Sequence, residues 1–162
     1  MSEKEIITKY IKTDFNLLTN SDKTLVLKAK NMLKSAYAPY SGFLVGAAVH
    51  LENGEIITGN NQENVAYPSG MCAERVAIFY AKSQFPNTKI NSIAVSAISK
   101  NFLIEDVVSP CGSCRQVISE YEVKQNENIR ILLHQSDDSV IIIKSISDLL
   151  PLMFISEKLK NY

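Results

Sequence analysis

The chain has 162 residues, 46% of them hydrophobic and 21% charged, the make-up of one globular domain with a sizeable core. Seventeen basic residues balance seventeen acidic ones, so the charge argues against a nucleic-acid partner, whose phosphates call for an excess of Lys and Arg. No apolar run nears the roughly 20 residues of a membrane span, and the charged start Met1-Ser2-Glu3-Lys4-Glu5 lacks a signal-peptide core.

Residues 1–20 carry only a weak alternation through Ile7, Lys9, Ile11 and Thr13, which allows one short strand. Asn20-Ser21-Asp22 reads as a helix start with Ser21 or Asp22 as cap, and Leu25, Ala29, Met32, Leu33 and Ala36 keep helical spacing up to Pro39. Phe43 to Leu51 reads as a strand. Asn53-Gly54 marks a hairpin, and Glu55 to Gly59 is its return strand. A polar loop at residues 60–64 leads to a second helix from Cys72 to about Ser83. Ile90 to Ile98 is apolar enough for a buried central strand. Cys111 to Val123 reads as a third helix, Ile129 to His134 and Val140 to Ile143 as strands, and Ser145 to Leu150 as a short helix; the tail closes with Ile155 to Leu159. This order predicts a three-layer α/β/α sandwich around a mixed five-stranded sheet, as one domain over residues 1–162.

The three cysteines sit where loops rich in Pro and Gly turn into helices, in Tyr67-Pro68-Ser69-Gly70-Met71-Cys72-Ala73-Glu74-Arg75 and Pro110-Cys111-Gly112-Ser113-Cys114. An odd number of thiols without a leader predicts reduced cysteines and a cytoplasmic protein. A catalytic zinc needs three protein ligands and an open fourth position, and Cys72, Cys111 and Cys114 make that number. Cys111 and Cys114 fall on one side of a first helical turn, where the helix dipole favours thiolate. Taken singly, Cys72 reads as a small buried hydrophobe and Cys111 with Cys114 as a redox pair. The conjunction with Pro110 and Glu74 favours a zinc site. Glu74 suits a carboxylate beside the metal, able to carry protons. Three thiolates around Zn²⁺ leave a net negative charge, which Arg75 can offset by donating to sulfur. His50 and His134 lie in strand regions and read as structural.

Cys72-Ala73-Glu74 followed by Pro110-Cys111-Gly112-Ser113-Cys114 resembles the zinc deaminase pattern, and the chain is similar to cytidine deaminases of the small, tetrameric, free-nucleoside class. The resemblance runs from about Lys30 to Phe154 and leaves the first 20 residues as an extension without assigned role. It implies the layered fold, one zinc per chain, Glu74 as the proton shuttle, and Arg75 as the partner of the thiolates. It also implies that Asn61 and Glu63 bind the ribose, that Phe43 packs on the pyrimidine and that Ala73 contacts substrate. Phe154 matches an aromatic donated to a neighbouring subunit of a homotetramer, Gln116 a residue near the metal, and Tyr67 a tyrosine near the subunit contact. A thiol in place of the histidine ligand of nucleic-acid deaminases moves the reading toward free nucleosides. The competing readings are a deaminase of a cytosine antibiotic such as blasticidin S, a non-catalytic zinc-stabilised module, and a redox protein.

Overall fold

The N-terminal extension supplies strand β1 (Ile11–Asp14), and the apolar runs become β2 (Phe43–Leu51), β3 (Ile56–Asn60), β4 (Ile90–Ser99), β5 (Arg130–His134) and β6 (Ser139–Ile143). Helices α1 (Asn20–Met32), α2 (Ala73–Gln84) and α3 (Gly112–Gln125) lie between them. In this computed structural model, which describes residues 1–156 and Leu159, the strands form one sheet in the order β1-β6-β5-β4-β2-β3. Among the described strands only β4 and β5 pair in parallel, across the connection that contains α3. The closing stretch Ile155 to Leu159 is described only in part, because residues 157 and 158 lie outside the described set.

Side chains of the sheet alternate between two cores. Ala47, Val49, Ile93, Ile131 and Leu133 face α2 and α3, while Ala48, Ala94, Leu132 and Val140 face α1. Each fully buried Leu or Ile contributes about 1.5–3 kcal/mol, so the central strands hold both layers together. Two glycines let the helices approach. A Cβ on Gly46 would stand 2.1 Å from the Ala29 carbonyl oxygen of α1, and one on Gly59 would stand 2.7 Å from the Ala77 nitrogen of α2. Gly59 thereby sets the height of α2, whose first turn carries Glu74.

Several boundaries differ from those read in the sequence. The sheet has six strands rather than five, because β1 covers the β6 edge antiparallel, with Ile11 opposite Ile142. The cap of α1 is Thr19, whose Oγ1 accepts from the Asp22 amide at 3.2 Å, rather than Ser21 or Asp22. Asp22 instead pairs with Arg130 at 3.0 Å. Helix α1 ends at Met32 and tightens into a 3₁₀ turn over Leu33–Ser35, where Asn60 Nδ2 donates to the Met32 carbonyl and Ser35 Oγ. The predicted helix after Ser145 is a single 3₁₀ turn, Ile146–Asp148.

Glu122, on α3, is buried and accepts from the Ile129 amide (2.8 Å), the Ile146 amide (3.1 Å) and Ser145 Oγ (2.6 Å). It ties the end of α3 to the start of β5 and the turn after β6. Glu122→Ala leaves the buried Ile129 and Ile146 amides unpaired, at about 1–3 kcal/mol each, while Ser145 Oγ keeps Ser147 Oγ at 2.8 Å. A loss of about 2–6 kcal/mol in unfolding free energy is expected from urea titration; an unchanged midpoint would show that the two amides re-pair.

Candidate active site

Cys72 is the residue just before α2 and Cys111 the residue just before α3, both in extended backbone conformation, while Cys114 lies within the first turn of α3. Two helix N-termini therefore converge on one spot, each with first-turn amides that have no acceptor within the helix. The sulfurs stand 3.8 Å apart for Cys72 and Cys111 and 3.6 Å for Cys111 and Cys114, all three lying within 4.8 Å of one another. Zinc–sulfur bonds of about 2.3 Å at tetrahedral angles place sulfurs about 3.8 Å apart. The donor set thus fits zinc. No carboxylate or imidazole joins the group among the described residues, which leaves a fourth position without a protein ligand.

Cys114 donating to it and the Arg75 guanidinium beside it hold the Cys72 thiol well below its ordinary value, to about 5. The same bond pushes the Cys114 thiol up, since Cys114 keeps the proton that the pair shares. A divalent cation placed among the sulfurs takes over the work of that proton. Arg75 Nη2 lies 3.7 Å from Cys72 Sγ, and its buried Nε has no partner among the described residues. Glu74 is 4% exposed, and burial raises its carboxyl above the usual carboxylate range. A buried carboxyl beside the sulfurs is placed where it can act on a proton at the metal position.

These groups open onto a cavity of about 670 Å³ lined by Cys72, Ala73, Glu74, Arg75 and Cys111 at one end and by Phe43, Asn61 and Glu63 elsewhere. That volume lies within the range of small-molecule sites. Asn61 Oδ1 accepts from the Val45 amide and its Nδ2 donates to the Phe43 carbonyl, both at 2.8 Å, so Asn61 braces the start of β2. Each end of the amide retains one further bonding position. Glu63 accepts from the Tyr40 amide at 2.9 Å and from Ser41 Oγ and its amide, and the Ser41 hydroxyl in particular lowers its pKa.

A family model described as the cytidine and deoxycytidylate deaminase zinc-binding region matches residues 19–126. The chain belongs to that family. It is 36% identical over 137 residues to the cytidine deaminase of Halalkalibacterium halodurans, a match that covers 85% of this chain and 96% of that one. It is 45% identical over 97 residues to the cytidine deaminase of Sporosarcina psychrophila, covering 60% of this chain and 67% of the relative. Among solved structures, the cytidine deaminase from Burkholderia pseudomallei superposes with a TM-score of 0.70 at 34% identity, over 85% of this chain and all of that one. The protein is thus a zinc-binding deaminase by family, and β5 and β6, beyond the matched residues, complete the same sheet.

Of the residues that the resemblance singles out, Cys114, Gln116 and Phe154 do not line the cavity, Cys114 because it is fully buried. Phe154 is 71% exposed, and Gln116 Nε2 donates to its carbonyl at 2.9 Å. Gln116 thereby fastens the tail to α3. Tyr67 lines the rim and meets Tyr40 edge-on at 6.2 Å. Sequence reading missed Tyr40, Ser41, Val95, Val108 and Ser109, which also line the cavity. Serine, valine and tyrosine carry no spacing signal, and their convergence depends on loops meeting strand ends. His134 lies on the α1 side of the sheet. Ser96 Oγ and Asp138 flank its ring at 3.0 and 3.1 Å, a Ser-His-Asp chain whose serine is 2% exposed and does not line the cavity beside the cysteines.

Proposed function

We propose that the protein hydrolytically deaminates cytidine and deoxycytidine to uridine and deoxyuridine with release of ammonia, serving pyrimidine salvage in the cytoplasm. The observation that carries this reading is three thiols at tetrahedral zinc spacing beside a buried carboxyl, Glu74, at a cavity of about 670 Å³, roomy enough for a nucleoside. The residues 1–162 act as one deaminase domain with one zinc per chain, held by Cys72, Cys111 and Cys114. Zinc in such a site supplies Lewis acidity and a water that is nucleophilic near neutral pH. Glu74 takes one proton of the attacking water and delivers it to ring nitrogen N3. It then takes the remaining proton of that water from the new C4 hydroxyl and passes it to the amine, so that the C4–N bond breaks, ammonia leaves and the C4 carbonyl forms. Arg75 steadies the Cys72 thiolate. Phe43 lies against the pyrimidine, Ala73 borders the base, and Asn61 and Glu63 hold the ribose hydroxyls through the bonding positions their own contacts leave open. An amide and a carboxylate suit a neutral sugar hydroxyl and repel a phosphate, which favours a nucleoside over a nucleotide. The Asn61 and Glu63 pair likewise favours a plain nucleoside over a cytosine antibiotic. Three sulfurs with no fourth ligand disfavour a closed structural zinc, and the approach of Cys72 to Cys111 is unneeded in a redox pair. Purified protein given cytidine is expected to abolish the cytosine absorbance band and to contain about one zinc per chain. Zinc-replete protein that leaves the band unchanged sinks the reading.

A homotetramer of the 18.1 kDa chain completes the site in this proposal. Support comes from the apolar groups left in the open, Leu152, Phe154 and Ile155 in the tail and Val65, Tyr67 and Tyr80 near α2. Phe154 is not among the residues that line the cavity of its own chain and acts, in this proposal, as a wall of a neighbour's. Phe154→Ala is expected to raise KM about tenfold with little change in kcat, since one stacked aromatic contact holds ground and transition states alike. After subunit exchange with Glu74→Gln chains, mixed tetramers regain low-KM activity beyond the sum of the parents. Strictly additive activity places Phe154 outside the partner's site.

A further inference from the structure

Arg115 follows the last cysteine on α3 and reaches three separate points with one guanidinium. Nε donates to the Pro110 carbonyl, Nη1 to the Leu149 carbonyl and Nη2 to Ser109 Oγ, each at 2.7 Å. The planar fork of arginine can satisfy three acceptors in fixed directions, which an ammonium cannot. Two of the acceptors belong to the segment that ends at Cys111, and Ser109 and Cys111 both line the cavity. The third is the residue that opens the tail leading to Phe154.

The need for such a fastening is visible in how the three thiols are held. Cys114 is buried within α3, and Cys72 is half-buried ahead of α2, whose Ala73 and Ala77 pack in the core. Cys111 is exposed, and the residues before it, from about 100 to 110, run without regular structure. Core packing does not place its sulfur. The guanidinium of Arg115 ties the two residues ahead of Cys111 to the same helix turn that carries Cys114.

We propose that Arg115 is a positioning residue of the metal centre, holding Ser109 and Pro110 so that the Cys111 sulfur meets the other two at zinc spacing. The inference rests on the zinc reading given above. It is tested on full-length, zinc-loaded protein by timing zinc release to an excess of a coloured chelator, and by the absorption bands of the cobalt-substituted protein. Groups that orient ligands from behind typically cost about 10–100-fold in metal affinity when removed. Arg115→Met is therefore expected to weaken zinc retention by about 10–100-fold and to lose one thiolate's share of the sulfur-to-cobalt charge-transfer band. Arg115→Lys should fail to restore either. Ser109→Ala, which removes one of the three acceptors and leaves α3 intact, moves both readouts the same way by a smaller factor, and decides the matter if the Arg115 variants do not fold. Wild-type zinc release and an unaltered cobalt spectrum in folded Arg115→Met, or in Ser109→Ala where only that variant folds, overturn the proposal. So does faster release that merely tracks a lower urea midpoint of the metal-free protein. Wild-type protein that binds no zinc would instead overturn the zinc reading, and this inference with it.

Discussion

Glu74→Gln is expected to bind zinc like the wild type and to lose about 10⁴ in kcat. The substitution keeps the shape of a side chain that is 4% exposed, so the packing of α2 on the sheet survives. What it removes is the ability to carry a proton. General acid–base catalysis by one group is typically worth about 10²–10⁴-fold. The proposed Glu74 serves more than one transfer, which places the loss at the upper end of that range. Burial already holds the Glu74 carboxyl above its ordinary range, which favours the protonated form that a proton donor needs. Metal analysis alongside the cytidine absorbance assay checks the prediction. Loss of zinc together with activity would make Glu74 a ligand and undo the mechanism; retained activity would move the proton transfers to another group.

Cys72→Ala, Cys111→Ala and Cys114→Ala are each expected to purify with little zinc and without measurable deaminase activity. Two sulfurs cannot hold a tetrahedral site that already relies on an open position. Loss of a direct ligand should exceed the roughly 100-fold that removal of a supporting contact can cost. The three differ in their effect on folding. Cys114 is fully buried, so its alanine variant also leaves a small void in the first turn of α3, whereas Cys111 is exposed and its removal leaves the fold intact. Wild-type protein stripped by a strong chelator should lose activity and melt at a lower temperature, and recover both on addition of zinc, because an ion bound only by the folded state stabilises it. A cysteine variant with full zinc content removes that residue from the ligand set.

The zinc motifs were legible because ligation is local chemistry. Pro110-Cys-x-x-Cys on a first helical turn and Cys72-Ala73-Glu74 ahead of an apolar helix announce themselves without knowledge of the fold. Strands β2, β4 and β5 were legible for a similar reason: their buried faces demand Val, Ile, Leu and Ala in long runs. Strand β1 was hardly legible. Its four residues, Ile-Lys-Thr-Asp, show no buried face, and only the open edge of β6 makes them a strand. The cap of α1 was misplaced because Thr19, Ser21 and Asp22 are all good capping types, and Asp22 is claimed by Arg130, distant in sequence.

By itself the sequence determined the candidate thiol ligands, the carboxyl proposed as acid–base group and the alternation of strands and helices, since these depend on residue chemistry and on neighbours a few positions apart. Tertiary structure alone decided that Cys72 comes to lie 3.8 Å from a sulfur 39 residues away, that Asn61 braces β2, and that Gln116 and Arg115 hold the tail and the cysteine loop. Those facts follow from the height at which α2 rests on Gly59 and from the parallel pairing of β4 with β5, which sets where α3 begins beside the sheet. Each is a long-range contact, and no local propensity encodes it.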